Sequence, residues 1–261
     1  MPSLKFEPRV PVFDANVRVG DTSGSLSPSP TSTHLLAELD RHGVERAIIY
    51  HAQAELRSPT EGNRRLEEWL ADDGRLFPQW SVMPIADSMR QIETLHAAGR
   101  VQSVRLHDVR HLEHPFPPAR LPFSPWAYGE LLSWLSDEGI PVWISLPDSD
   151  PHELVSTLQA FPGLVTVLVG AHYAHALLVR PILRALSNAY LELSRYEPIG
   201  QLEALRDEFG AGRLVYGSWY SRYCMGPMLF YLHHTDFSEE DLARACAGNL
   251  ERILRGEGRR D

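Results

Sequence analysis

The sequence predicts an α/β fold, a single (β/α)8 TIM barrel formed by the whole 261-residue chain. Three observations lead there. Short apolar runs recur along the chain and alternate with amphipathic stretches, the pattern of parallel strands joined by helices. Eight such runs can be counted, and closing them into a barrel leaves no sheet edge exposed. An open doubly wound sheet carries a glycine-rich turn after its first strand. Here the polar stretch Gly20-Asp-Thr-Ser-Gly-Ser-Leu-Ser-Pro-Ser-Pro30 follows instead.

The strands are predicted at 11–18, 44–52, 77–84, 101–108, 141–146, 165–170, 189–195 and 214–219. Each has the length of a buried parallel strand and is rich in β-branched or aromatic residues. Helix signals fall between them. Thr33 precedes a segment with Leu35, Leu36 and Leu39 on one face, which Gly43 stops. The stretch from Trp126 to Asp137 aligns Leu131, Leu132 and Leu135, and ends before Gly139. Residues 151–161 and 199–209 are further amphipathic segments. Ser238-Glu-Glu-Asp241 is a capping box, opening a last helix to Leu254 that is expected against the outside of the barrel. Residues 20–33 are expected to form a flexible loop, and 255–261 a solvated tail. Proline stiffens the connection at 115–125, which helps to shape the mouth.

Composition excludes several classes. The formal net charge of −9 repels phosphate backbones, so no nucleic-acid partner is expected. No apolar run reaches the length of a membrane span, and the first residues hold no apolar signal core. Cys224 and Cys246 are too few for a disulfide framework or a zinc site. These features lead to the expectation of a cytoplasmic protein that contacts neither membrane nor nucleic acid. A homodimer is the default expectation.

The first strand reads Val12-Phe-Asp-Ala-Asn-Val-Arg-Val-Gly20. It resembles the opening of the amidohydrolase-2 branch of the amidohydrolase superfamily, whose members show Asp-x-His-x-His-x-Gly there. Further pieces resemble the family in order: Arg75 to Pro84, Val101 to His107, Gly139 to Ser145, Phe161 to Gly170, Arg213 to Ser218 and Asn249 to Leu254. The resemblance implies the barrel and a metal-assisted chemistry on small organic compounds. The departures fall on the metal-binding residues. Asn16 and Arg18 stand where the two first-strand histidines belong, Ser145 and Gly170 where the later ones do, and Trp219 where the family places a catalytic aspartate. Hydrolytic zinc needs about three ligands from histidine, cysteine or carboxylate plus an open position. Arginine stays protonated and cannot ligate, and tryptophan is neither ligand nor base. No metal and no cofactor are therefore expected at these positions.

Functional groups of barrels lie at the C-terminal ends of the strands. Arg18 and Arg105 are candidates for holding a ligand carboxylate through paired hydrogen bonds; alternatively each pairs with an internal carboxylate such as Asp14 or Glu192. His107 and His172 are the candidate acid–base groups, since imidazole titrates near neutral pH; the alternative is a satisfied rim residue. Asn16, Ser145, Glu192, Trp219 and Tyr220 complete the candidate substrate-binding set. Trp219, Tyr220, Tyr223 and Phe230 suggest an aromatic wall, and Cys224 and the His233–His234 pair are expected to be packed and helix-surface residues, respectively. Three readings follow: a metal-independent enzyme of the hydrolase or lyase class acting on a small carboxylate or aromatic compound; a non-catalytic barrel binding a small molecule or partner protein; and a metal hydrolase with an atypical site drawn from His107, His172, His175 and Glu192.

Overall fold

The computed structural model describes residues 6–20, 31–70, 73–107 and 121–259. Its strands are β1 (Phe13–Val19), β2 (Arg46–His51), β3 (Leu76–Pro78), β4 (Trp80–Ser81), β5 (Val104–Leu106), β6 (Val142–Ser145), β7 (Thr166–Val169), β8 (Ala189–Glu192) and β9 (Leu214–Val215). Every pairing is parallel, β1 to β2 to β3 and then β4 through β9 in order. Strands β3 and β4 are halves of one stave, interrupted at Gln79, whose N–H still donates to the Ile49 carbonyl at 2.8 Å. The ends of the sheet also meet: the Ala15 N–H donates to the Tyr216 carbonyl at 3.1 Å, and Val17 bridges Tyr220 in parallel. Eight staves thus form the (β/α)8 barrel. The predicted strands overlap all of them, but most are longer than the paired segments.

Alternation divides the strand side chains between two layers. Phe13, Ala15, Ile48, Trp143, Val165, Val167, Val169, Tyr190 and Val215 share one buried cluster, the barrel interior. Val17, Ala47, Ile49, Val104, Val142, Ile144, Leu168 and Leu191 pack outward against Leu35, Leu39, Leu131, Leu132, Leu135, Leu154, Leu202 and Leu205 of the surrounding helices. This is the period-two pattern of a sheet with both faces covered.

Helix α1 runs Ser32–His42, with Thr31 rather than Thr33 as its cap and Gly43 in the left-handed conformation ending it. A one-turn α2 (Ala52–Leu56) and α3 (Pro59–Trp69) follow β2. Then come α4 (Ala86–Ala97), α5 (Pro125–Asp137), α6 (Pro151–Gln159), α7 (Ala176–Ala185), α8 (Gln201–Phe209) and α9 (Gly226–Leu232). The sequence reading omits α2, α3, α4, α7 and α9. Helix α2 is a single turn, the buried face of α3 carries Gly62 and Asn63, and Pro181 falls inside α7.

The closing helix departs from expectation in two ways. It is split into α10 (Glu239–Ala243) and α11 (Asn249–Leu254) by a π-helical turn over Arg244–Gly248. The wider turn leaves the Ala245 carbonyl to accept from the Tyr216 N–H at 2.8 Å. Nor does it lie on the outside: Ala247, Leu250 and Ile253 join the interior cluster beside Trp143 and Tyr190. The helix therefore plugs the N-terminal floor of the barrel. The tail beyond it is not wholly solvated, because the Gly258 carbonyl accepts from the buried Tyr190 hydroxyl at 2.6 Å. Most of the 20–33 loop, the first part of the proline-rich connection and the last two residues of the tail lie outside the described residues. Among the described residues, no helix is long and apolar enough to cross a membrane.

Candidate functional site

The C-terminal mouth is built around a residue that the sequence reading does not name. Tyr50 follows Ile48 by two along β2, so it too faces inward, one layer nearer the mouth. It is fully buried. The Arg105 guanidinium carbon lies 4.0 Å from the Tyr50 ring centroid, and the His107 ring lies 5.3 Å from it. The Tyr50 hydroxyl accepts from the Trp219 indole N–H at 3.1 Å and donates to Glu55 Oε2 at 3.5 Å. Glu55, on α2, in turn meets Arg18 Nη1 at 3.4 Å and Arg222 Nη1 at 3.5 Å. Arg18, Arg105, His107 and Trp219 are thus brought together, with Tyr50 as their common neighbour.

Arg105 is a buried cation held by neutral groups. Its Nε donates to Gln79 Oε1 at 2.7 Å and its Nη2 to Asn16 Oδ1 at 2.9 Å. The Tyr50 ring face adds a cation–π contact. Arg18 faces neither Asp14 nor Glu192: its carboxylate partner is Glu55. Arg18 is fixed at the seam, since its backbone N–H donates to the Tyr220 carbonyl.

His107 Nε2 and Ser81 Oγ are 3.0 Å apart. Burial, and then the Arg105 charge, hold the imidazole well below its ordinary value of 6.5. His107 is therefore uncharged at neutral pH, with burial and the neighbouring guanidinium both opposing its protonation.

Beneath the mouth lie two buried carboxylates. Asp14 Oδ1 accepts from the Asn16 N–H at 3.0 Å and from the Ser218 N–H at 2.9 Å, tying β1 to the segment after β9. Burial pushes its carboxyl up to about 6, against hydrogen bonds from Ser218 and Asn16. Glu192 accepts from the N–H of Gly170 at 3.2 Å, the N–H of Ser194 at 2.9 Å and the Ser194 hydroxyl at 3.0 Å. Burial raises Glu192 to about 7. A methyl group on Gly217 would lie 2.1 Å from Glu192 Oε1, so glycine is needed there for close approach.

Other candidates are engaged elsewhere. The Ser145 hydroxyl donates to Asp148 at 2.6 Å, within its own loop. His172 sits at the rim, where its Nδ1 accepts from the Ala174 N–H at 3.3 Å and caps the short turn Tyr173–His175. The His172 and His175 rings are 4.2 Å apart, edge to face. Tyr220 packs with the outer helix layer rather than into the mouth. Of the suggested aromatic wall, Trp219 and Tyr223 are in contact, with ring centroids 5.7 Å apart; Phe230 stacks on His234 at 3.9 Å instead. His233, expected on a helix surface, is buried, and Cys224, expected to be packed, is exposed.

The residues that the resemblance puts at the family's metal positions do not fit a metal ion. Asn16 gives its carbonyl oxygen to a guanidinium, Arg18 is itself a cation, and the Ser145 hydroxyl is turned to Asp148. Gly170 has no side chain, and the space beside it is filled by the Trp219 indole. Among the described residues, no three His, Cys, Asp or Glu side chains are grouped to hold a metal, including the set of His107, His172, His175 and Glu192.

The amidohydrolase family model Amidohydro_2 matches residues 28–256. Similar solved structures include the dihydroxybenzoic acid decarboxylase of Polaromonas sp. JS666, with bound manganese and 2-nitroresorcinol (TM-score 0.74, 13% identity, covering 94% of this chain and 97% of that one). The 5-carboxyvanillate decarboxylase of Sphingomonas paucimobilis is also similar (0.68, 15% identity, 94% and 99%). So is an uncharacterised TIM-barrel protein of Bordetella bronchiseptica (0.70, 16% identity, 96% and 100%). No functionally curated protein matches the chain. The barrel is common to all three structures, and with a family match over most of its length the chain belongs to the Amidohydro_2 family of amidohydrolases.

Proposed function

We propose that this protein binds a small carboxylate-bearing or aromatic compound in the C-terminal mouth of the barrel, and acts on it as a hydrolase or lyase without the family's metal. The convergence of Arg18, Arg105, His107 and Trp219 around Tyr50 supports this reading. A cation for an anionic group, a flat indole for an aromatic ring and an uncharged imidazole for a proton meet in one place. His107 is the proton-handling residue in this scheme, with the Ser81 hydroxyl as its partner. Arg105, Asn16 and Glu192 form the polar floor.

A second reading, a non-catalytic barrel that binds a small molecule or partner protein, is favoured by two observations. Trp219 fills the space beside Gly170, and His172 is engaged as a cap.

Solved relatives are named for 5-carboxyvanillate and 2,6-dihydroxybenzoate, which makes these acids the first probes. Each would be titrated into chelator-treated protein by calorimetry, and its ultraviolet spectrum followed over time. Binding with turnover that His107→Gln abolishes is the expected result. Binding without turnover favours the second reading, and turnover only after manganese or zinc is added defeats metal independence.

A further inference from the structure

The Arg18–Glu55 contact is a poor fit for an ion pair in so enclosed a place. Both side chains are only 12% exposed, yet the closest approach is 3.4 Å. The other two donors to this carboxylate, the Tyr50 hydroxyl and Arg222 Nη1, stand at 3.5 Å. Charge-assisted N–H···O bonds settle at about 2.7–2.9 Å. Glu55 is therefore shared among three donors without an optimal bond to any of them. Moreover, Arg18 Nε is buried and has no partner among the described residues. One edge of a guanidinium offers Nε and Nη together to a planar carboxylate, and Glu55 does not use that edge of Arg18.

The reason lies in how Glu55 is attached. It belongs to the one-turn helix α2, whose backbone is pinned: a methyl group on Gly62 would lie 2.3 Å from the Ala54 N. The backbone of α2 is thus packed closely on α3, and the carboxylate reaches Arg18 only through the length of the glutamate side chain. Arg222 is 45% exposed, so the group has a solvent-facing side. Its guanidinium carbon lies 5.1 Å from the Trp219 ring centroid, which places a flat aromatic face beside the charges.

We propose that Arg18, Arg222 and the Tyr50 hydroxyl form a carboxylate seat, and that Glu55 is its displaceable internal occupant. A ligand carboxylate takes the seat by aligning with Nε and Nη of Arg18 while Glu55 swings toward solvent. This rests on the reading above that the mouth binds carboxylates, and it replaces Arg105 with Arg222 as the second arginine. It names the ligand class as flat monocarboxylates, the anion on the arginines and the ring beside Trp219.

Apparent affinity scales with the fraction of molecules whose seat is free, so an occupancy of nine-tenths by Glu55 weakens binding by about tenfold. Benzoate is the probe, titrated by calorimetry into the wild type, Glu55→Gln, Arg18→Met and Arg222→Met, with circular dichroism confirming the fold of each. Glu55→Gln should bind benzoate about tenfold more tightly, and benzoate should raise its Tm more than that of the wild type. Arg18→Met should abolish binding. Arg222→Met, at a half-exposed position, should weaken it and serves alone if Arg18→Met does not fold. Wild-type binding with unchanged or weaker affinity in Glu55→Gln would overturn the seat while leaving the mouth as a carboxylate site. Retained affinity in the arginine variants would do the same. Absence of benzoate binding from both the wild type and Glu55→Gln would overturn both readings.

Discussion

Gly170 and Trp219 are complementary: a methyl group on Gly170 would lie 3.0 Å from Cζ3 and 3.1 Å from Cη2 of the Trp219 indole. Family resemblance gives one position to a metal-binding histidine and the other to a catalytic aspartate. In this chain the first is a glycine, and the second is a tryptophan whose indole occupies the space beside it. Trp219 adopts the left-handed backbone region, at φ 52°, and its N–H is held by Tyr50. The two departures form one packing arrangement.

That coupling can be measured. Gly170 has a φ of 74°, so alanine there costs about 1–2 kcal/mol of backbone strain besides the clash with the indole. In a Trp219→Ala background only the strain should remain. A double-mutant cycle by denaturant unfolding should give a coupling energy of about 0.5–3 kcal/mol. Additivity would show that the ring does not depend on the missing side chain.

Arg105 should be among the residues most sensitive to substitution. Methionine there leaves Asn16 Oδ1 and Gln79 Oε1 without their donor, and removes the charge facing Glu192. A loss of about 1–3 kcal/mol for each buried acceptor left unsatisfied is expected from chemical denaturation. Lysine should restore little, because it lacks the planar fork that serves both oxygens.

Stability should depend on pH through Glu192. Its carboxyl is raised from 4.5 to about 7, so the folded protein holds a proton across that interval that the unfolded chain has lost. Stability from this group is full below 4.5 and declines as pH rises through about 7, by a total of about 3 kcal/mol. Asp14 acts in the same direction up to about 6. His107 acts oppositely: its lowered value makes stability fall as pH drops below 6.5. Glu192→Gln should therefore lose less Tm than the wild type between about pH 5 and about pH 8. An equal loss would remove Glu192 as the source.

The two thiols should differ sharply. Cys224 is exposed, whereas Cys246 is buried and burial pushes its thiol up to about 12. A thiol reagent should modify Cys224 in the folded protein and Cys246 only after unfolding. Mass spectrometry of the modified peptides reads this directly.

Zinc or manganese added to chelator-treated protein should leave Tm unchanged, because Asn16 and Arg18 are committed to a guanidinium contact and an ion pair. A ligand that binds only the folded state stabilises it by RT ln(1 + [L]/Kd). A metal-dependent rise in Tm, with about one equivalent by elemental analysis, would show a site elsewhere in the chain.

By itself the sequence determined the barrel and the family. Eight apolar runs at strand length, with helical segments between them, have one economical closed solution, and Phe13, Trp143 and Tyr190 alternate inward as that solution requires. The resemblance also pointed to Asn16, Arg18, Ser145, Gly170 and Trp219, because motif positions are linear. Tyr50 and Glu55 were less legible. Tyr50 stands at the end of the apolar run Ala47-Ile-Ile-Tyr50, where burial on both faces of the sheet hides the alternation. Two-residue counting from Ile48 was the available signal. Glu55 lies in a helix too short to show a periodicity. Which carboxylate meets Arg18 is decided 37 positions along the chain, and its second arginine lies a further 167 positions on, near the other end of the closed sheet. Only barrel closure brings these three together, since a parallel sheet joins residues through crossovers whose reach no local pattern encodes. The indole over Gly170 is a further case: it joins the ends of β7 and β9, two staves with β8 between them, and no local pattern encodes that neighbourhood.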